Sequence, residues 1–166
     1  MKKNKFVVML ASLASCMILL APGVFAGTSK SSPKADSKMA GGEMNFSVNE
    51  GNVSKWVSEI FLRHDEKYAR KALKISANDY IFYGASQEKD RDFARTIAER
   101  RAEQAALATL RSELGYDVPG ARIFSMELVR DEIASVEDED GNEFFQVFMV
   151  FKVNASAWEK TKQQAK

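Results

Sequence analysis

His64 is the only histidine of the chain and the first side chain to test for chemistry. It lies in the segment Phe-Leu-Arg-His-Asp-Glu-Lys-Tyr at 61–68. A zinc site needs three or four nitrogen, sulfur or oxygen ligands, and a nucleophilic triad needs a histidine held between a serine and an acid. The apolar spacing places His64 on the polar side of a helix, so we expect it to be exposed and without a catalytic role.

The acidic segment 138–142, Asp-Glu-Asp-Gly-Asn, is similar to the start of a calcium-binding loop. Three side chains stand at the first, third and fifth positions of such a loop: Asp138, Asp140 and Asn142. The loop also needs a glycine at position six and a bidentate glutamate at position twelve. This sequence has Glu143 and Met149 there. The Asp-Gly pair between two β-rich runs instead predicts the turn of a hairpin.

Two further patterns fail to define an active site. Residues 83–90, Tyr-Gly-Ala-Ser-Gln-Glu-Lys-Asp, place a glycine before a helix, where a phosphate could bind, but they contain no glycine-rich phosphate motif. The acids at 137–140 crowd on one turn, whereas two-carboxylate catalysis needs groups in different environments across a cleft.

Asn154 begins a glycosylation sequon, but it stands where a helix N-cap is expected. The sequence predicts a non-enzymatic protein without catalytic, cofactor or metal-binding residues.

Cys16 is the only cysteine and belongs to an export signal. Three lysines precede the uncharged apolar run 6–20, and Pro22 follows it, which is typical of a secretory signal peptide. Leu-Ala-Ser-Cys fits a lipobox, in which Cys16 would be acylated and become the first mature residue. Val-Phe-Ala26 before Gly27 fits an ordinary signal-peptidase site, in which Cys16 is discarded.

Cleavage between Ala26 and Gly27 is favoured, because acylation at Cys16 would leave an apolar run at the start of the mature chain. Lipidation of Cys16 stays open as the alternative. Removing residues 1–26 takes away three of the 24 basic side chains and none of the 23 acidic ones, which leaves a net charge of about −2. That balance gives no support for nucleic acid or anionic lipid as a partner. Membrane contact is expected only through a lipid anchor.

The chain divides into a signal peptide (1–26), a flexible Gly/Ser/Lys-rich tether (27–52) and one α/β domain (53–166). Periodicity and turn residues predict six elements in the domain: a helix over 53–75, a strand over 79–86, a helix over 88–114, strands over 121–137 and 144–153, and a final helix after Asn154. Ser86 is the expected N-cap of the second helix. The fold class is α+β, in the order α-β-α-β-β-α, with a small, mainly antiparallel sheet.

A stripe of alanines marks the second helix as the element that packs on the sheet. Its members recur at spacings of three and four: Ala94, Ala98, Ala102, Ala105 and Ala108. Small residues on a contact face let a helix backbone approach its neighbour closely. We expect the stripe to face the core, with a helix–helix contact in an oligomer as the alternative.

The chain resembles the twenty-kilodalton membrane-associated lipoprotein family of Gram-negative bacteria, which includes flagellar assembly lipoproteins. Four segments carry the resemblance: Ser-Lys-Trp-Val at 54–57, Tyr-Ile-Phe-Tyr-Gly-Ala-Ser at 80–86, the alanine-paced helix at 92–110 and the closing run at 144–160. The sequence departs from the family at Lys55, where proline is frequent, and at its ambiguous lipobox. The resemblance implies an α/β domain at the outer membrane or in the periplasm, and no catalytic residues.

In flagellar relatives the resemblance implies a subunit of a ring or disk, and therefore self-association or contact with other envelope proteins. Both faces of the last strand are apolar, so that strand is either covered on both sides by its own chain or buried by a partner. In the second case, Phe144, Phe148 and Val150 would form the self-association surface. The expected function is a structural or assembly role in the cell envelope; the alternative is a secreted protein that binds a ligand or a host molecule.

Overall fold

In the computed structural model, which describes residues 37–165, a four-stranded sheet carries helices on both faces. The elements along the chain are β1 (Met39–Gly41), α1 (Lys55–Val57) running into a π-helical turn (Ser58–Leu62), α2 (Glu66–Leu73), β2 (Tyr80–Glu88), α3 (Arg91–Leu114), β3 (Glu127–Glu137), β4 (Glu143–Val153) and α4 (Ala155–Gln164). The α+β class predicted from the sequence is confirmed, with a long helix on a mainly antiparallel sheet.

The strands lie in the order β1-β2-β4-β3. β1 is parallel to β2, whereas β4 is antiparallel to both β2 and β3. β3 and β4 form the predicted hairpin, with Gly141 in its turn at φ 77°. A bulge interrupts the β3–β4 register between Leu128 and Arg130. β4 therefore lies inside the sheet, and β1 and β3 are its two edges.

α3 packs on one face of the sheet through small residues. Its contact face is buried and consists of Ala94, Ala98, Ala102, Ala105, Ala106, Thr109 and Leu110. A β-carbon at Gly84 of β2 would overlap the Ala98 carbonyl oxygen and lie 2.7 Å from the Ala102 nitrogen. The glycine and the alanines together allow this close approach of helix to strand. The predicted alanine stripe is confirmed except at Ala108, which is exposed.

The opposite face of the sheet is covered by α1 and the π-helical turn. Trp56, Ile60 and Phe61 from this segment are at most 3% exposed. They belong to one buried cluster with Phe148 and Val150 of β4, and both of those residues are 0% exposed. The sheet is thus covered on both faces by its own chain, and Phe148 and Val150 are core residues.

The first predicted helix is broken in the middle. His64 has φ 52°, a left-handed conformation, between the π-helical turn and α2. Asp65 then caps α2, and its side chain accepts a hydrogen bond from the Tyr68 amide at 2.8 Å. The apolar period runs through this break, because both pieces bury their apolar sides on the same core. A continuous helix over 53–75 was therefore the wrong prediction.

Two other predicted boundaries were wrong. The N-cap of α3 is Asp90, which accepts a hydrogen bond from the Phe93 amide at 2.7 Å. Ser86 is still in β2, where its buried hydroxyl donates to the Ala94 carbonyl. The strand predicted over 121–137 begins only at Glu127, because Ser125 adopts φ 52° and the preceding residues form turns.

The tether predicted over 27–52 was also too long. Met39–Gly41 pairs with β2, and the Gly42 amide donates to the Tyr83 carbonyl at 2.9 Å. Met44, Phe46 and Val48 pack against the buried cluster on the face of the sheet that α1 covers. The signal peptide, Cys16, Ala26, Gly27 and the rest of the tether up to residue 36 lie outside the described residues. In residues 37–165, no helix is long and apolar enough to cross a membrane.

Candidate functional site

The outer edge of β3 is the candidate functional surface of the domain. Within residues 37–165, no strand pairs with this edge, although β3 is 11 residues long. The other edge strand, β1, has only 3 residues. An unpaired strand offers a row of amide and carbonyl groups to another strand, so a long free edge is an interaction surface unless something blocks it. We call residues Glu127–Glu137 and their outward backbone groups the β3 edge.

Charged side chains in the middle of the β3 edge are engaged inside the domain. The Glu132 carboxylate accepts two hydrogen bonds from Ser54. The Ser54 backbone amide donates to Glu132 Oε1 at 2.8 Å, and the Ser54 hydroxyl donates to Glu132 Oε2. Asp131 pairs with Arg95 of α3 at 2.5 Å. The Arg130 guanidinium lies 5.0 Å from the centre of the Trp56 ring.

These contacts turn the charges toward the two faces of the sheet. On one face, Arg130 contacts Trp56 of α1 and Glu132 accepts from Ser54 at the start of α1. On the other face, Asp131 pairs with Arg95 of α3. Charged side chains usually guard an edge when they extend past it into the path of an incoming strand. Here each of the three is held by a partner in its own chain, and no strand among residues 37–165 pairs with the outward backbone groups.

The predicted self-association residues do not form this surface. Phe148 and Val150 are buried by α1 and the π-helical turn, so their assignment to a partner-binding face is wrong. Phe144 is half-buried near the hairpin turn, with the Lys89 ammonium 5.3 Å from its ring centre. The apolar character of both faces of β4 reflects a central strand covered on both sides.

His64 is exposed, as expected, but it has a specific partner. Its Nδ1 lies 2.5 Å from the Tyr83 hydroxyl, and the two rings are stacked. Burial raises the pKa of Tyr83 to about 12, so this phenol stays protonated at neutral pH. A neutral phenol beside a single imidazole, which no acid among residues 37–165 holds in place, lacks the arrangement of a nucleophilic triad.

The acidic turn uses its first aspartate to hold its own backbone. Asp138 Oδ1 accepts hydrogen bonds from the amides of Asp140 at 3.0 Å and Asn142 at 2.8 Å, and both of its oxygens contact the Asn142 side-chain nitrogen. The Asn142 hydrogen bonds hold the pKa of Asp138 below its ordinary value. The turn is the predicted hairpin. Within the described part of the chain, no group of three His, Cys, Asp or Glu side chains is placed to hold a metal.

A network around Glu113 joins α4 to the rest of the domain. Glu113 accepts hydrogen bonds from the Tyr80 hydroxyl and from the Trp158 indole nitrogen, each at 2.9 Å. Burial, together with the Glu113 carboxylate, raises the pKa of Tyr80. The Tyr80 and Trp158 rings are stacked with their centroids 4.5 Å apart, and the Lys162 ammonium nitrogen lies 3.5 Å from a Glu113 carboxylate oxygen. Because all four groups are mutually satisfied, we assign the network a structural role.

A shallow groove lies between the loop before β3 and α4. It encloses about 200 Å³ and is lined by Gly120, Ala121, Arg122, Phe124, Thr161, Gln164 and Ala165. Ligand-binding pockets usually have about 300–1,000 Å³ and bury most of the ligand. The groove is thus small for an organic ligand, and the β3 edge is the more extensive feature.

Over residues 37–165, fold and site together define a helix-covered α+β domain with one long sheet edge that no described strand pairs. Comparison with family models, curated proteins and solved structures finds no match to this chain.

Proposed function

We propose that this chain is a non-enzymatic, exported cell-envelope protein with a structural or assembly role at the outer membrane or in the periplasm, acting through self-association. The export part rests on the N-terminal sequence, where three lysines precede an uncharged apolar run over 6–20. The assembly part rests on the structure of the folded domain. A flagellar connection stays an implication of the family resemblance.

The observation that carries the assembly role is the arrangement of the two sheet edges. The described chain enters the sheet at β1, which is a 3-residue strand on one edge. The 11-residue β3 edge lies on the opposite side, with β2 and β4 between them. A tether that arrives at β1 therefore leaves the β3 edge on the far side of the sheet. Such an edge lets subunits join without involving the N-terminal segment.

Cell fractionation tests the envelope assignment. The protein carrying a C-terminal epitope is expected in the periplasmic or outer-membrane fraction, and a variant lacking residues 2–26 is expected in the cytoplasm. Deletion of the gene is expected to produce an envelope or motility defect. Recovery of the full-length wild-type protein in the cytoplasm would overturn the proposal.

A secreted ligand-binding protein is the second candidate. The groove between residues 120–124 and α4 is the observation in its favour, although its volume of about 200 Å³ suits only a small group. Under this alternative the protein is found in the culture medium as a monomer, and a bound small molecule raises its unfolding midpoint. Substitution of Thr161 would then remove the shift, whereas an assembly protein would show no such shift.

A further inference from the structure

We propose that β3 pairs with β3 of a second copy of this chain, antiparallel and about a two-fold axis at Ile133, to form a continuous eight-stranded sheet. This pairing names the surface for the self-association part of the proposed function and rests on it. A symmetric dimer uses the same surface on both subunits, so the strand must be complementary to itself. The length, charges and register of β3 each meet that requirement.

The usable part of the edge is the regular stretch 130–137. The bulge at Leu128/Arg130 ends it on one side, and the hairpin turn that begins at Asp138 ends it on the other. A bulge bends its strand and disrupts the ladder locally, so pairing cannot extend through it. A two-fold axis at Ile133 pairs residues 130–136 with the same residues of the second copy, which fits between these limits.

The charges of the strand select this centre. With the axis at Glu132, this carboxylate would lie opposite Glu132 of the second copy. With the axis at Ala134, Asp131 would lie opposite Glu137 of the second copy. An axis at Asp131 would place two aspartates opposite each other and extend into the bulge. Like charges directly opposite each other destabilise a sheet. With the axis at Ile133, no charged residue of this stretch faces another.

The pairs in the chosen register are also compatible in size and chemistry. On the α3 side, Ile133 faces Ile133 of the second copy, and each Asp131 faces Ser135, an uncharged residue whose hydroxyl donates to Glu143 of its own chain at 2.6 Å. Ile133 is half-buried and already packs on the core beside α3, so a second isoleucine would extend that apolar surface. On the other side, Glu132 faces Ala134 and Arg130 faces Val136. Cross-strand pairs of this kind contribute about 0.2–1 kcal/mol each.

A second copy fits this edge better than the chain's own N-terminal segment. That segment joins the described domain at Ser37 and leads into β1, which lies on the opposite edge of the sheet. A seven-residue strand pair buries less surface than a permanent interface needs, so we expect a reversible dimer with a dissociation constant of about 10–100 µM. Acylation of Cys16, the alternative to cleavage at Ala26, would concentrate many copies on one membrane and favour the dimer.

Disulfide trapping tests the register. In the purified full chain with Cys16→Ala, Ile133→Cys places two thiols on the axis, with β-carbons about 5 Å apart. We expect oxidation to give a disulfide-linked dimer. Ser135→Cys is the control, because its two copies would be about 14 Å apart along the strands, too far for a disulfide. Equal trapping at both positions, or trapping only at Ser135, would overturn the register.

Charge substitution at the exposed Ser135 tests the same pairing without a crosslink. Ser135→Lys places an ammonium opposite Asp131 of the second copy and is expected to lower the dissociation constant at least about three-fold. Ser135→Asp is expected to raise it by a similar factor. Ser112→Lys and Ser112→Asp, on the exposed face of α3, change the net charge equally and should leave dimerisation unchanged. Sedimentation velocity from about 10 to 500 µM measures all four.

The possible outcomes separate the two proposals. A dimer whose dissociation constant is unchanged by the Ser135 substitutions, and in which Ile133→Cys gives no disulfide, would overturn the β3 pairing. Self-association itself would remain in place. A monomer up to about 500 µM would overturn both the pairing and the self-association, whereas the envelope assignment depends on fractionation alone. If a peptide of another protein pairs with β3 in the monomer, the second copy is the wrong occupant.

Discussion

Gly84 of β2 lies directly under Ala98 of α3, so close that a β-carbon on the glycine would overlap the Ala98 carbonyl oxygen. The contact fixes the height of the helix above the sheet. The buried Ser86 hydroxyl donates to the Ala94 carbonyl one turn earlier, which fixes the helix along the strand. The rest of the core, including Phe82 and Met149, is packed to this spacing.

Gly84→Ala is therefore expected to destabilise the domain strongly. The added methyl meets backbone atoms of α3, which cannot rotate away, so the helix must shift and the core must repack. We expect the free energy of unfolding to fall by about 3 kcal/mol, at the upper end for overpacking. Urea denaturation followed by circular dichroism measures the change. Gly51→Ala is the control, because its nearest neighbour is an exposed side-chain oxygen of Asn49 at 3.3 Å, and it should change stability by less than about 0.5 kcal/mol.

Local sequence patterns predicted the elements whose residues lie close together in the chain. Asp-Gly at 140–141 fixed the hairpin, Gly115 ends α3 in a left-handed conformation, and Asn154 caps α4. The alanine spacing predicted which side of α3 faces the sheet. These features depend on turn chemistry and helical period, which act over a few residues.

Features that depend on distant parts of the chain were missed. β1 is a strand only because Met39–Gly41 pairs with β2 some forty residues later, and its composition resembles a linker. The break at His64 is hidden because the residues on both sides continue the apolar period. Three consecutive charges at 130–132 could have marked β3 as an edge strand, since a central strand such as β4 is apolar on both faces.

Glu132→Ala is expected to destabilise the domain by about 1–2 kcal/mol. The carboxylate is the acceptor for the half-buried Ser54 amide and hydroxyl at the start of α1, and its removal leaves both donors without that partner. Glu137→Ala, at the exposed end of the same strand, is the matched control and should be close to neutral. Equal, small effects of the two changes would contradict the view that the central charges of β3 are held within the domain.

Tyr83 is expected to make the domain less stable at high pH. Burial raises its pKa from 10.0 to about 12. Between these two values the unfolded chain releases the phenol proton and the folded chain keeps it. The stabilising contribution is therefore complete below about pH 10 and is lost as the pH rises to about 12, a loss of about 2–3 kcal/mol. Tyr83→Phe should remove this part of the pH dependence.

Urea denaturation at intervals between about pH 9 and pH 12 measures the difference between wild type and Tyr83→Phe. Tyr80 has a raised pKa for the same main reason and remains in both proteins, so only the difference between the curves is informative. His64→Ala is the control, because it removes the hydrogen-bond partner and leaves the burial of Tyr83. Parallel curves for wild type and Tyr83→Phe would show that burial does not raise this pKa.

Asp138 is expected to titrate below the ordinary range of an aspartate. Hydrogen bonds from the Asn142 backbone and side chain favour its charged form. A lowered folded pKa means that its contribution to stability is present above the unfolded value near 3.8 and is lost as the pH falls through the folded value. A carboxyl-detected NMR titration measures the pKa directly. Asn142→Ala removes the side-chain donor and keeps the backbone amide, so it should move the pKa part of the way upward, whereas Asp140→Ala leaves both Asn142 donors in place and should have a smaller effect.

Intact-mass measurement of the exported protein is expected to give Gly27 as the first residue. Cleavage there leaves ten residues, 27–36, before the described domain, a reach of at most about 36 Å. Acylation at Cys16 would instead leave residues 16–36 as a link of at most about 76 Å between a membrane and β1. The two results differ in mass and in behaviour, since Cys16→Ala should release the protein from membranes only in the second case. A lipid-modified Cys16 would contradict cleavage at Ala26 and would concentrate the β3 edges of many copies along one membrane surface.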